Sequence, residues 1–327
     1  MMPVPVTPTF KVNYNAFSFP AAVVPHGSLV FSADELAHAM FTTGRAPGDR
    51  LNHGRASLWE FLHRSAVIPA YIRRRPYGAL TRSRLARELD RSELVGLSYA
   101  LGTAMTGIFC RQVLRVDHLL HIDRYWSTYG VRFRAGRKRA DYIGRSPAGW
   151  MVAEAKGRSR GIERALRDKL VDQKRSVLSI ESAPPSLALG CVAHFPGAGE
   201  NLVVDAFDPD ESAEDAIRLD DLTIDRYLYA YYLPFVEALN LGQPYVADSG
   251  IQMEAVDFGV FGLRVSLLQG IADLMRSIPT DDLAGFGERV FAIISSATDS
   301  GAQIRPDGSI ISTDWADAIR ETDWNVE

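Results

Sequence analysis

The chain predicts an α/β fold, with helices packed on a sheet, on three observations. Between about residues 90 and 210, stretches rich in β-branched and aromatic residues alternate with helical stretches, the order expected of a layered α/β domain. The uncharged run 94–110 carries Gly96, Ala100, Gly102, Thr103 and Gly107, small residues that let a helix backbone lie close to another layer. The composition, 46% hydrophobic and 23% charged over 327 residues, is that of a globular chain with room for about two domains.

Taken in order, the first 30 residues are rich in Pro, Phe and Val without helical period and predict an extended arm or a short strand pair. Two capping boxes, SADE (32–35) and SLWE (57–60), announce helices, because a Ser side chain and a Glu three residues later can satisfy each other's backbone N–H groups. The segment 72–101 loosely has the form of a helix-turn-helix, with a break near Asp90 and Arg91. No glycine marks the turn, and the second helix runs on into the apolar segment, so a helical lead-in to the next domain is preferred. A long helix then covers 93–115.

HLLHIDRYW, YGVRF, RADYIG and WMVAEAKG read as strands, the last two joined by the turn-rich RSPAG, and a polar helix follows at 160–180. SLALGCVAHF and NLVVDAFDP supply two more strands. Beyond 210 the chain turns acidic, with apolar helices at LTIDRYLYAYYLPFVEALNLG and VFGLRVSLLQGIADLMRSI. A terminal hairpin, IRPDGSIIST, is expected to turn at Asp307 and Gly308. The resulting division is an N-terminal arm and helical extension (1–89), an α/β core (90–210) and an acidic, mostly helical C-terminal region (211–327).

The net charge of −4 hides a division of sign. Residues 1–175 carry 29 basic against 14 acidic side chains, and residues 176–327 carry 7 against 26. A basic half suits a phosphate-rich partner such as nucleic acid; packing of the two halves on each other is the plainer alternative. Two cysteines, Cys110 and Cys191, form neither a disulfide framework nor a zinc spacing. The N-terminus lacks the pattern of a signal peptide, and the run 94–110 is short for a bilayer span. A cytoplasmic protein without a membrane partner is the expectation.

Only five basic residues are lysine, and one of them, Lys156, ends the strand WMVAEAKG. Strand alternation points Val152, Glu154 and Lys156 one way and Met151, Ala153 and Ala155 the other, so Glu154 and Lys156 project together above a face of small residues on which a helix can pack. Asp141 lies on the preceding strand and can meet them across a hairpin. Two carboxylates at a sheet edge suit Mg²⁺. A neighbouring lysine, a compact cation, can orient or deprotonate a water and offset charge on a phosphodiester.

The segment Ala140-Asp141, spacer, Glu154-Ala155-Lys156 resembles the PD-(D/E)XK nuclease superfamily, with Ala140 where that signature often has proline. The resemblance covers about residues 90–210. It implies a restriction-endonuclease-like mixed sheet flanked by helices and Mg²⁺- or Mn²⁺-dependent cleavage of nucleic acid, with DNA ahead of RNA and endonuclease ahead of exonuclease action. Restriction, repair and defence against mobile DNA are the roles such cores serve. It makes Asp141 and Glu154 metal ligands, the Ala155 carbonyl a third, and Lys156 the residue acting on the water. Glu93 is the candidate for an acid on the first core helix, and Lys169 and Gln173 are candidates on the helix after the lysine strand.

Flanking basic residues, Arg137, Lys138 and Arg139 before Asp141 and Arg158 and Arg160 after Lys156, are placed to hold backbone phosphates without reading bases. His118 and His121 could clamp a metal on a helix but face opposite ways on a strand, the preferred reading, which leaves His121 and Asp123 room to support the carboxylates from behind. The acidic C-terminal region could pack on the basic half, screen the site, or form a face for a homodimer or protein partner. The rival to an enzyme is a catalytically inactive subunit of the same fold that binds nucleic acid or protein.

Overall fold

The structure, a computed structural model, describes residues 8–19, 22–43, 54–122, 140–162, 177–197, 199–207, 217–219, 222–246, 251–301 and 303–320. In chain order come β1 (Thr9–Phe17), β2 (His26–Ser32), α1 (Ala33–Thr43), α2 (Ala56–Tyr71), β3 (Ile72–Arg74), β4 (Leu80–Arg82), α3 (Arg84–Glu88) and α4 (Arg91–Leu114). The middle of the chain supplies β5 (Leu119–His121), β6 (Tyr142–Ser146), β7 (Gly149–Arg158), β8 (Val177–Ile180), β9 (Leu187–His194), β10 (Val203–Phe207) and β11 (Ile217–Leu219). The C-terminal part adds α5 (Ile224–Leu239), β12 (Gln243–Tyr245), β13 (Met253–Phe258), β14 (Leu263–Leu268), α6 (Gln269–Ser277), α7 (Phe286–Asp299) and β15 (Ser309–Thr313).

The fold is mixed α/β. Its main sheet has seven strands in the order β2-β1-β10-β9-β7-β6-β5, with β7 parallel to β9 and β1 parallel to β10, and the remaining pairs antiparallel. Register and period-2 alternation sort the side chains of this sheet. One face carries Phe10, Val12, Phe31, Val204, Cys191, Met151, Ala153 and Ala155, all buried, and is covered by α1 and α4. The opposite face, from β7 across to β1, carries Glu154, Lys156 and Arg158, then Val192 and His194, Asp205, and Asn13 and Asn15. Apolar residues such as Val152, Val203 and Phe207 share this face with them.

Helix α4 starts on a true capping box: the Asp90 carboxylate accepts from the N–H groups of Ser92 and Glu93 at 2.7 and 2.9 Å, and the Glu93 carboxylate accepts from the Asp90 N–H at 3.0 Å. Its glycines decide how close it comes to the sheet. A Cβ on Gly102 would sit 2.5 Å from the Gly157 nitrogen, and one on Gly157 would sit 1.6 Å from the Ser98 carbonyl oxygen, so helix and strand meet backbone to backbone. Gly107 makes room in the same way for Thr43 of α1, whereas Gly96 faces open space. Among the described residues α4 is the one helix long and apolar enough to cross a bilayer, and 67% of its apolar stretch is buried inside the molecule, as befits a core helix.

Several expectations need correction. The first box, 32–35, caps α1 as read, with Ser32 and Glu35 each accepting from the other's N–H. The second does not cap: α2 begins at Ala56, Ser57 donates to the Gly54 carbonyl and Glu60 pairs with Arg64 one turn on. Residues 84–114 form a short and a long helix, but the second packs on β7 and β9 and cannot enter a DNA groove as a recognition helix. Strands β1 and β2 pair with each other and belong to the main sheet, so this sheet draws on the segment read as an N-terminal extension.

The C-terminal region also contains an antiparallel sheet, β12-β13-β14-β15, beside α5, α6 and α7. LRVSLL, read as helix, is strand β14, and α6 begins only at Gln269, one residue before Gly270. The Asp307-Gly308 turn is present, closed by the Gly308 N–H on the Arg305 carbonyl at 2.9 Å, yet the strand it starts pairs with β14. YGVRF and residues 163–176 of the polar helix expected at 160–180 lie outside the described residues, and the last four residues of that expected helix are strand β8 instead.

This region is tied to the sheet half of the molecule by a buried polar knot. The Asp307 carboxylate lies 2.8 Å from His38 Nε2 of α1, accepts from Tyr231 at 2.5 Å, and accepts from the Ser309 N–H and hydroxyl at 3.1 and 2.8 Å. Tyr232 donates to the Asp307 carbonyl and lies 3.2 Å from His118 Nε2, while Tyr227 donates to the His118 carbonyl. Four donors around one carboxylate favour its charged form, and Asp307 is held far below the ordinary aspartate range against its burial.

Burial pushes His38 and His118 the other way, to about 4, although Asp307 opposes the shift in both. Arg305 and Arg111 add to it at His38. A histidine whose folded pKa lies below its unfolded value of 6.5 leaves the unfolded chain binding more protons between those values, so stability falls as pH drops through that window. Denaturant unfolding at a series of pH values should show a loss of roughly 2 kcal/mol per histidine between pH 7 and pH 5. A His118→Phe variant, lacking one of the two groups, should show a shallower slope.

Candidate functional site

Strands β6 and β7 form a tight hairpin through Pro147 and Ala148, with register pairs Tyr142–Ala153 and Ile143–Val152. Continuing that register by one step sets Asp141 directly across from Glu154, on the face that also bears Lys156. Pairing with β9 sets Gly190 beside Glu154 and Val192 beside Lys156. The three residues singled out from the sequence are therefore brought together.

The Ala155 N–H donates to Asp141 Oδ2 at 2.9 Å, which fixes the aspartate against the next strand. A strand residue presents its N–H and C=O to the same side, so the Ala155 carbonyl also faces Asp141, beyond the last β6 pairing. Lys156 Nζ donates to Glu154 Oε1. Glu154 is 0% exposed, while the Lys156 side chain is 30% exposed. The second oxygen of Glu154, Oε2, is buried with no hydrogen-bond donor.

Burial, and next the neighbouring Asp141 carboxylate, raise Glu154 to about 8; the Lys156 ammonium opposes both. Asp141 lies close by, and crowding a second carboxyl against Glu154 adds to the burial that favours the protonated form of Glu154. A buried oxygen pair with one orphaned lone-pair set, a backbone carbonyl alongside and a half-exposed ammonium at the rim form a donor set suited to a hard divalent cation. Among the described residues no group of three or more His, Cys, Asp or Glu side chains converges as a metal cluster. A cation here would rest on two carboxylates and the Ala155 carbonyl.

Glu93 is placed differently. Its carboxylate is spent on the α4 cap, and no described contact joins it to Asp141, Glu154 or Lys156. Arg158 and Arg160 follow Lys156 on the outgoing strand end and are exposed. Arg137, Lys138, Arg139, Lys169, Gln173 and Asp123 lie outside the described residues. His121 pairs with Tyr142, whose side chain shares the face of Ala153, so it lies on the side of the sheet away from Glu154 and does not support the carboxylates. His118 sits against Tyr231 and Tyr232 in the buried knot, and the two histidines form no clamp.

The sequence reading missed a polar row on the Lys156 face. His26 Nδ1 lies 2.9 Å from Asn15 Oδ1, Asn15 Nδ2 donates to Asp205 Oδ1 at 2.7 Å, and Asp205 Oδ2 lies 3.4 Å from His194 Nε2. His194 in turn is the register partner of Arg158. The signal was there as polar residues at period 2 in KVNYNAF and at the end of LALGCVAH, but each is short enough to pass for an ordinary solvated strand edge.

Holding a carboxylate in this site costs stability. Above pH 4.5 the unfolded chain ionises Glu154 while the folded chain resists, so this group destabilises the fold progressively as pH rises toward 8. In EDTA at pH 8, Glu154→Gln should therefore unfold at higher temperature than the wild type, by roughly 1–3 kcal/mol of stability. The difference should shrink toward pH 5. An equal or lower melting temperature for the variant at pH 8 would show that Glu154 is comfortably ionised.

No family model, curated protein or solved structure matches this chain, so the case for its function is made from the site itself.

Proposed function

We propose that the chain is a metal-dependent nuclease with a restriction-endonuclease-like PD-(D/E)XK core, and that it hydrolyses phosphodiester bonds of nucleic acid, DNA ahead of RNA. The observation that carries the reading is the buried Asp141–Glu154 pair, one oxygen left without a donor, with Lys156 on the same strand face and the Ala155 carbonyl beside them. A structural ion pair on a strand needs no second carboxylate and gains little from such burial. The resemblance in sequence, the cross-strand register and the electrostatic crowding point to the same three residues.

Mg²⁺ or Mn²⁺ would be held by Asp141, Glu154 and the Ala155 carbonyl, and supplies positive charge against the oxygens of the bound phosphodiester. The chain's own residues do the rest. Asp141, fixed by the Ala155 N–H, keeps its carboxylate aimed across the strands. Lys156, bonded to Glu154 but partly open to solvent, is positioned to orient the attacking water and to offset charge on the pentacovalent phosphorus. Arg158 and Arg160 continue the same chain segment outward and offer guanidinium donors to backbone phosphates. Restriction, repair and defence against mobile DNA all remain within this chemistry.

Purified protein is to be incubated with supercoiled plasmid and with single-stranded DNA in Mg²⁺, Mn²⁺ or EDTA, beside Lys156→Ala and Asp141→Asn. Cutting in metal alone, reduced at least about a hundredfold by either substitution, is the expected outcome. Cutting that both variants retain would overturn the assignment of the site. Salt-sensitive binding without cleavage under any divalent ion would leave the inactive, nucleic-acid-binding subunit as the better reading.

A further inference from the structure

A cleft of about 520 Å³ opens between the first two turns of α4 and the outgoing end of β7. Its walls include Arg91, Leu94, Val95 and Ser98 from the helix and Arg158 and Arg160 from the strand end. Gly157, where helix and strand backbones touch, forms its root. Arg158 shares the face of Lys156, while Gly157 faces α4, so the cleft wraps round the end of the strand from the helix side toward the proposed catalytic side.

Three features of this cleft go together. Arg91, Arg158 and Arg160 are exposed, and none of them pairs with an acid among the described residues. The nearest acids on the helix, Asp90 and Glu93, are already bonded to backbone N–H groups of the cap. Three exposed guanidiniums that line one cleft and pair with none of these carboxylates favour a polyanion there. Between them, Leu94 is half-buried and Val95 is 64% exposed, an apolar strip that water covers poorly. A volume of this size is that of a site for one small molecule. It is also close to the reaction centre: at about 3.3 Å per strand residue, Arg158 lies roughly 7 Å along the chain from Lys156.

We propose that this cleft is the subsite for the nucleotide adjoining the cut, and that it selects an unpaired strand. The nucleotide's phosphate lies among Arg91, Arg158 and Arg160, and its base lies against Leu94 and Val95. A base paired and stacked within a duplex cannot enter a pocket for one nucleotide without leaving the helix, so single strands, or strand ends that fray, are the preferred substrates. This inference rests on the nuclease reading above and specifies the substrate class of the same site.

Binding of a fluorescein-labelled single-stranded oligonucleotide and of its duplex form is to be followed by anisotropy in EDTA, with the full chain and with Val95→Asp and Arg91→Glu. Both positions are solvent-exposed, and far-ultraviolet circular dichroism verifies that the variants are folded. The wild type should bind the single strand more tightly than the duplex. Each substitution should weaken single-strand binding about tenfold while leaving duplex binding within about twofold. In Mg²⁺ the same variants should raise KM for single-stranded DNA more than they lower kcat.

A wild type that binds and cuts nucleic acid while both variants behave identically to it would overturn the cleft assignment alone. Preference for duplex by the wild type would do the same. A wild type that binds neither form would overturn the cleft and the nuclease reading together.

Discussion

The close approach of α4 to β7 is the constraint on which the rest of the structure depends. Gly102 and Gly157 bring a helix backbone against a strand backbone, nearer than any side chain would allow. The strand is thereby pressed into the middle of a seven-stranded sheet, with its small residues Ala153 and Ala155 buried under the helix. Because strand residues alternate, packing the alanines inward fixes Glu154 and Lys156 on the other face. A register slip by one residue would send the charged pair into the apolar layer, so the core enforces the placement of the site.

The second tie is the buried knot around Asp307. The acidic C-terminal region does more than neutralise the basic half by proximity: it inserts one carboxylate among His38, Tyr231 and Ser309, and Asp34 of α1 accepts from the N–H and hydroxyl of Thr313 at 2.8 and 2.7 Å. These bonds join α1, which covers the main sheet, to the turn and strand that complete the smaller one. Such networks are directional, so they fix how the two halves dock in a way that net charge cannot.

How much of this was legible in the sequence depended on whether the signal was local. The strands around Asp141 and Lys156, the long small-residue helix and the tyrosine-rich α5 could be read because each announces itself within a dozen residues. The Ser32 cap was readable for the same reason. SLWE failed because a capping box needs the right backbone conformation at its first residue as well as the right pair of side chains, and here Arg55 and Ser57 are already helical. β14 failed because strand and helix share one apolar run in which a single glycine, Gly270, does not by itself show where the helix begins. The partnership of β1 with β10, the Asp307 knot and the row from His26 to His194 join residues far apart in sequence, and a single chain read alone carries no record of such pairings. Asp141, Glu154 and Lys156 were legible as a set because hairpin register is nearly local.

The face of the main sheet that bears Lys156 ties these strands together. An α/β sheet ordinarily buries both faces in apolar side chains, and the sequence near Lys156 could have done so by replacing Glu154 with valine and Lys156 with leucine at no cost in register. Instead the face holds a carboxylate that burial and Asp141 drive to about 8, with an orphaned oxygen, and a histidine, His194, whose Nδ1 is buried without a hydrogen-bond partner while its Nε2 lies 3.4 Å from Asp205. Unsatisfied buried groups of this kind each cost on the order of 1–3 kcal/mol, a large fraction of the net stability of any domain. The strand that carries Glu154 leads out to the cleft lined by Arg91, Arg158 and Arg160. A fold under selection for stability alone would gain by discarding Glu154 from this buried position, and that cost is the physical argument for treating this face as the candidate site.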